Sequence, residues 1–223
     1  MKIEQKNNLS KKSIKEIDTI FSIFNEIEIN PRIELKYKTP YQLLVSVILS
    51  ARSTDIQVNK ITDQLFEKIA TPEEMIDLGK ENLKNYIKFL GLYNNKANNI
   101  IVTSHMLIEN FKSEVPNNIK DLLSLPGIGT KSAKVILNVI FGESVIAVDT
   151  HVFRTSNRIG LCSTKTPIAT EIALESIIPK KWLNKVHHWL VLHGRYICKA
   201  RKPLCEKCPI RKLCNYYNSI FIN

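Results

Sequence analysis

At 223 residues and 44% hydrophobic content, the chain can bury one large core or two small ones, which excludes a disordered polymer. Its 32 lysines and arginines against 21 aspartates and glutamates give a net charge of +11, the footprint of a polyanion binder, although a basic balance alone would also suit a membrane surface. It has no apolar run of about 18 residues, and its start, MKIEQKNNLSKKS, lacks the apolar core of a secretory signal, so the expectation is a soluble, cytoplasmic protein with no membrane partner.

Helical periodicity dominates in chain order. Ile14, Ile17, Ile20, Phe21, Phe24 and Ile27 share one face and predict a first helix that stops near Asn30-Pro31. Thr39-Pro40, Thr71-Pro72 and Thr166-Pro167 each join an N-cap hydroxyl to a proline preset for the first helical position, and so mark helix starts. Tyr41 to Ala51 predicts a strongly apolar, central helix and Asp55 to Ile69 an amphipathic one, with short helices continuing to Phe111. The best strand pattern, Val145 to Val148, equally fits an extended connector. The fold class is therefore all-α with short loops, and no repeat or linker reveals a domain boundary.

The first chemical motif is Leu125-Pro-Gly-Ile-Gly129, a tight turn in which Gly127 is free to take positive φ. Ala133, Ile136, Leu137 and Ile140 then give the spacing of a helix from about Thr130 to Gly142. Amides at a helix N-terminus, unhindered at Gly127 and Gly129, can grip a phosphate without reading sequence. Lys131 sits in the first turn, where the helix dipole disfavours an ammonium, the kind of activation a Schiff-base lysine needs. The plainer reading makes it a phosphate contact, the role expected of Lys134. Asp149 follows the apolar run Val145 to Val148. It can cap the helix that begins Thr-His-Val-Phe-Arg, be aimed as a carboxylate into a cleft, or do both. His151, His187 and His188 show no metal-ligand pattern and read as structural or surface residues, and Cys162 reads as a small buried hydrophobe.

Cys198, Cys205, Cys208 and Cys214 lie within 17 residues, too few for the two separated halves of a zinc ribbon. Four thiolates on one metal centre follow, with zinc and an iron-sulfur cubane both open on spacing alone. Lys199, Arg201, Lys202, Lys207, Arg211 and Lys212 surround them, some to offset thiolate charge and the rest free to face phosphate.

These residues resemble the endonuclease III family of helix-hairpin-helix DNA glycosylases from about Ile20 to Tyr216. The resemblance rests on LLVSVILSARSTD (Leu43 to Asp55), GLYNNKANNI (Gly91 to Ile100), LPGIGTKSA (Leu125 to Ala133), VDTHVFR (Val148 to Arg154) and the cysteine spacing, in family order. It implies one 4Fe-4S cluster on the four cysteines and no small-molecule cofactor. It also implies a monomer of two helical domains flanking a DNA-binding cleft: a six-helix bundle with the helix-hairpin-helix over residues 33–143, and residues 1–32 plus 144–223 carrying the cluster loop 198–214. The partner it implies is damaged double-stranded DNA, with the protein nucleoid-associated when bound. Lys131 matches the family's Schiff-base lysine and Asp149, 18 positions later, its catalytic aspartate, for excision of oxidised pyrimidines and cleavage 3′ to the abasic site by β-elimination. Leu92 matches a wedge that fills the space of the flipped base. Arg52 departs from the family's usual glutamine at the position that probes the orphaned base, and donates hydrogen bonds without accepting them. Gly127, Gly129, Lys134, Lys202, Lys207 and Arg211 complete the expected DNA contacts. Related adenine-mismatch glycosylases lack a lysine at the Lys131 position. A non-enzymatic DNA-binding module would use Lys131 and Asp149 only as a phosphate contact and a helix cap.

Overall fold

A computed structural model describes residues 12–221, all of whose regular elements are helices, with no strand among the described residues. The chain forms two compact units, one of Ile33–Glu143 and one that joins the segment up to Arg32 to Ser144 and beyond.

In the first unit, α2 (Pro40–Leu49) is buried at every position from Tyr41 to Leu49, which explains its almost unbroken apolar sequence. It starts where it does because the Thr39 hydroxyl accepts the Gln42 N–H and Pro40 supplies the preset φ. Around it lie α3 (Asp55–Leu65), α4 (Pro72–Leu78), α5 (Lys80–Ile87), α6 (Tyr93–Phe111), α7 (Ile119–Ser124) and α8 (Thr130–Phe141). Gly79, at φ +77, separates α4 from α5. The expected run of short helices ends at α5, because α6 is a single helix of 19 residues. α3 stops at Leu65, short of the Ile69 expected from its pattern; the amides of Lys68 and Ile69 both return to the Leu65 carbonyl.

The second unit begins with α1 (Ile14–Ile27), opened by a capping box in which Ser13 accepts from the Glu16 amide and Glu16 accepts from that of Ser13. Ile17, Ile20, Phe21 and Phe24 are buried; Ile14 and Ile27, expected on the same stripe, are exposed at its two ends. α9 (Thr150–Ile159), α10 (Pro167–Ile177), α11 (Leu183–Tyr196) and α12 (Asn215–Phe221) complete it. Trp189 organises the core: Phe21 stacks on it at 6.0 Å, Trp182 meets it edge-on at 5.7 Å, and its Nε1 donates to the Glu28 carbonyl at 2.9 Å. Burying such aromatic and branched side chains contributes roughly 2–3 kcal/mol each, enough to hold α1 against a segment that follows it by more than a hundred residues. Val145 to Val148 forms no strand; it is an extended connector, and Ile146 and Val148 belong to this core.

Candidate nucleic-acid interface and metal centre

The α7–α8 hairpin is built as the sequence predicts. Gly127 takes φ +86, and a Cβ there would lie 2.9 Å from Asn99 Nδ2 and 3.3 Å from Ile48 Cγ2. Thr103 Oγ1 donates to the Pro126 carbonyl at 3.2 Å and the Ile128 amide to that of Leu125 at 3.1 Å, fixing the turn on α6 and on itself. Gly129 caps α8 without a side-chain hydrogen bond and faces open space, leaving the first-turn amides accessible to an anion. Lys131 is exposed in that turn and makes no hydrogen bond or ion pair with the other described residues.

Two further turns of the same unit come together. Arg52, exposed between α2 and α3, has φ 54, and Leu92, half-exposed just before α6, has φ 60. Left-handed backbone at bulky residues is uncommon and clusters at functional sites. The turns lie against each other, a Cβ built at Gly91 falling 4.0 Å from the Arg52 carbonyl oxygen, an ordinary van der Waals distance. Lys96 reaches across, its Nζ donating to Ser53 Oγ at 2.8 Å while the residue is only 3% exposed. Burial lowers the Lys96 pKa from the ordinary lysine value. The sequence reading gave this residue no role. Its signals are its place inside the GLYNNKANNI motif and its continuation of the buried stripe of Ile100, Thr103, Ser104 and Leu107.

In the other unit, Asp149 is the N-cap of α9. Its Oδ1 accepts the amides of His151 and Val152, both at 2.8 Å, and Oδ2 takes part in neither bond. One carboxylate therefore caps a helix with one oxygen and leaves the other outside the cap. His187 and His188 are buried, His187 bonding the Ala147 carbonyl at 2.7 Å.

The four clustered cysteines line one small cavity between two short 3-10 turns, Cys205–Lys207 and Arg211–Leu213, and the ends of α9, α11 and α12. Its other walls include Ile159, Ile197 and Pro203, an apolar shell. Among the described residues no three potential ligands converge as they would on a single ion. Tetrahedral zinc at ~2.3 Å from sulfur would draw the thiols into such a group, whereas a cluster several ångströms across spaces them around itself. Burial above all, with neighbouring thiolates adding, pushes the Cys208 thiol up to about 12; burial likewise raises Cys205 and Cys214. Free thiols here stay protonated, so thiolates require a bound cation to form. The donor set, the apolar walls and the shared cavity fit an iron-sulfur cluster.

Of the surrounding cations, Lys202 (φ 49) and Lys207 are exposed, and Arg211, its side chain also partly exposed, bonds the Glu206 carbonyl at 2.7 Å and its carboxylate at 3.2 Å. Arg158, which spacing did not single out, lies 3.7 Å from Cys198 Sγ, bonds the Lys199 and Ala200 carbonyls and stacks over Tyr216. Its sequence signal is the pair Arg154 and Arg158, four apart on one helix face. His193, buried on α11, places Nε2 3.7 Å from Cys208 Sγ.

The family description "HhH-GPD superfamily base excision DNA repair protein" matches residues 45–180, and "Iron-sulfur binding domain of endonuclease III" matches residues 198–214. An endonuclease III of Rickettsia conorii is 54% identical over 201 residues, covering 90% of this chain and 96% of that protein. The chain belongs to the endonuclease III family. The Escherichia coli K12 member is 46% identical, covering 86% of this chain and 92% of its own length. Among solved structures, a non-covalent endonuclease III–DNA complex superposes with a TM-score of 0.86 at 38% identity, covering 95% of this chain and all of that one. A trapped endonuclease III–DNA covalent intermediate gives 0.85 at 40% identity, covering 93% and 98%. As a member of the endonuclease III family, this protein is a base-excision repair enzyme, by class a DNA glycosylase and abasic-site lyase, with one 4Fe-4S cluster.

Proposed function

We propose that this enzyme excises oxidised pyrimidines from duplex DNA and cleaves the strand 3′ to the resulting abasic site through a Schiff base on Lys131. The observation that carries the reading is the uncommitted Lys131 amine in the uncapped first turn of α8, part of a hairpin built to hold phosphate. That a relative of the same fold has been trapped as a covalent intermediate with DNA supports the same chemistry.

With the damaged nucleotide turned out of the stack, Asp149 Oδ2 accepts the proton that the Lys131 ammonium gives up, passes it to the departing base and, ionised again, offsets the positive charge growing on the sugar. The Lys131 amine bonds to C1′ as the bond to the base breaks, and the base leaves with a proton. Ring opening gives an iminium. It acidifies the C2′ hydrogen, whose loss expels the 3′ phosphate from C3′, and water then releases the amine. The cluster, held by Cys198, Cys205, Cys208 and Cys214, takes no part in these steps and fixes the shape of its loop.

Gly127, Gly129 and Lys134 hold the backbone on one unit; Lys202 and Lys207 do so on the other. Arg211, whose exposed pairing with Glu206 leaves part of its guanidinium facing solvent, adds a further phosphate contact on that unit. Leu92 fills the gap left by the flipped base, and Arg52, a donor without acceptor capacity, sets the preference for the base opposite. The two compact units serve as hairpin and cluster domains of a cytoplasmic monomer. Borohydride trapping on a duplex containing thymine glycol tests the core of the reading: wild type gives a covalent adduct and Lys131→Ala gives none. An adduct of equal yield in Lys131→Ala would refute it.

A further inference from the structure

We infer that Lys96 is a positioning residue, which locks the Arg52 turn and the Leu92 turn into one rigid reading head for the base pair under repair. The inference rests on the reading of Arg52 and Leu92 as DNA contacts and adds the device that sets their spacing.

The two turns come from different parts of the chain, one joining α2 to α3 and the other α5 to α6, and each presents a non-glycine residue in left-handed backbone. Nothing within either turn fixes its distance from the other. The Arg52 turn is closed by the Ser53 amide on the Ser50 carbonyl at 3.1 Å, and the Leu92 turn runs directly into α6, whose first helical bond is the Lys96 amide on the Leu92 carbonyl at 3.0 Å. The bond from Lys96 Nζ to Ser53 Oγ, 2.8 Å long and spanning 43 positions, ties the first turn to the second. Lys96 thus stands at the start of the helix that carries Leu92, and its ammonium holds the Arg52 turn to it.

The placement is otherwise unfavourable. Lys96 lies one turn into α6, whose first turn holds no acidic residue, so a cation there opposes the helix dipole. It is also buried, and Ser53 Oγ is the one hydrogen-bond acceptor its ammonium finds among the described residues. A methionine would fill the same space without either cost. The other buried polar residues of the stripe, Thr103 and Ser104, are uncharged and bond carbonyls of their own unit, so Lys96 is the one ammonium among them. An ammonium is the group that can reach the hydroxyl of Ser53 and hold Arg52, its neighbour, at a fixed distance from Leu92.

The experiment measures single-turnover excision of thymine glycol opposite adenine and opposite guanine, together with thermal unfolding. The variants are Lys96→Met, Ser53→Ala, their double, Ser53→Thr, Arg52→Ala and Leu92→Ala. Misplacing a DNA-reading group by about an ångström costs up to ~100-fold in rate, so Lys96→Met is expected to lose about tenfold or more. Its adenine-to-guanine ratio should shift toward that of Arg52→Ala, with no fall in melting temperature. Ser53→Ala should act in the same direction, the double variant should be no worse than Lys96→Met, and Ser53→Thr, which keeps the hydroxyl, should retain the wild-type ratio. Wild-type rates and ratio in Lys96→Met, or losses that add in the double variant, would overturn the coupling while impaired Arg52→Ala and Leu92→Ala left the reading of those residues standing. Wild-type behaviour of Arg52→Ala and Leu92→Ala would overturn that reading and the coupling with it.

Discussion

Replacing the two hairpin glycines by alanine separates folding from DNA holding. At Gly127, φ is +86, and an L-residue forced into left-handed backbone loses about 1–2 kcal/mol. The added Cβ would also sit 2.9 Å from Asn99 Nδ2 and 3.3 Å from both Asn99 Cβ and Ile48 Cγ2. The Asn99 amide can swing aside, but Ile48 belongs to the buried face of α2 and must shift, which adds about 1 kcal/mol. A loss of about 2–3 kcal/mol lowers the melting temperature of a chain this size by roughly 4–12 °C. At Gly129, φ is −100 and nothing lies within 4 Å of the new Cβ, so Gly129→Ala should change stability by less than about 0.5 kcal/mol. It should instead weaken DNA binding, because the methyl group stands where a phosphate approaches the uncapped amides, and since neutral amides release no counterions the affinity should fall with the salt dependence of log affinity unchanged. Calorimetry and binding titrations across a salt series read both quantities. Unfolding of Gly127→Ala at the wild-type temperature, or equal destabilisation by the two variants, would refute the reasoning.

Asp149→Asn keeps an N-cap oxygen for the His151 and Val152 amides and should unfold within about 0.5 kcal/mol of wild type, while Asp149→Ala should lose about 1 kcal/mol. Both should lose most excision activity in single-turnover assays; full activity in Asp149→Asn would reduce the residue to a cap. Cys208→Ser is expected to abolish the cluster's visible absorption and expose the 198–214 loop to protease, and an unchanged absorption band would refute its ligand role. Burial lowers His188 to about 4 from 6.5, so the unfolded chain takes up its proton first as pH falls. The stability tied to neutral His188 is intact above pH ~6.5 and is lost progressively between ~6.5 and ~4, to a total of about 3 kcal/mol. His188→Gln should flatten that part of the stability profile measured by denaturant titration, and an unaltered acid limb would contradict the assignment.

What the sequence made legible was local chemistry. The Thr39, Thr71 and Thr166 caps were readable because hydroxyl, proline and the amide they serve lie within four residues. The hairpin turn followed from Pro126 and Gly127 alone, and the cysteine site from spacing. What escaped was decided by side chains meeting across long stretches of chain. The union of α1 with α11 depends on Phe21 and Phe24 against Trp189, and neither helix states it by itself. The pairing of Arg211 with Glu206 depends on how the short turns between the cysteines fold. The burial of Lys96 against Ser53 joins positions 43 apart, and only its place on the stripe of Ile100 and Leu107 hints at it.

Asp149 shows why these two kinds of information need each other. The local pattern reads it as a helix cap and the family motif reads it as a catalyst, and taken as whole residues the two roles compete. At the level of atoms they do not, because both amide bonds fall on Oδ1. In the proposed mechanism the cap supports the catalysis: two charge-assisted bonds from the start of α9 fix the carboxylate's direction beside the positive end of that helix. The value of a carboxylate so held is as a fixed negative charge that favours a cation developing nearby, and that is the charge that departure of a base from deoxyribose creates.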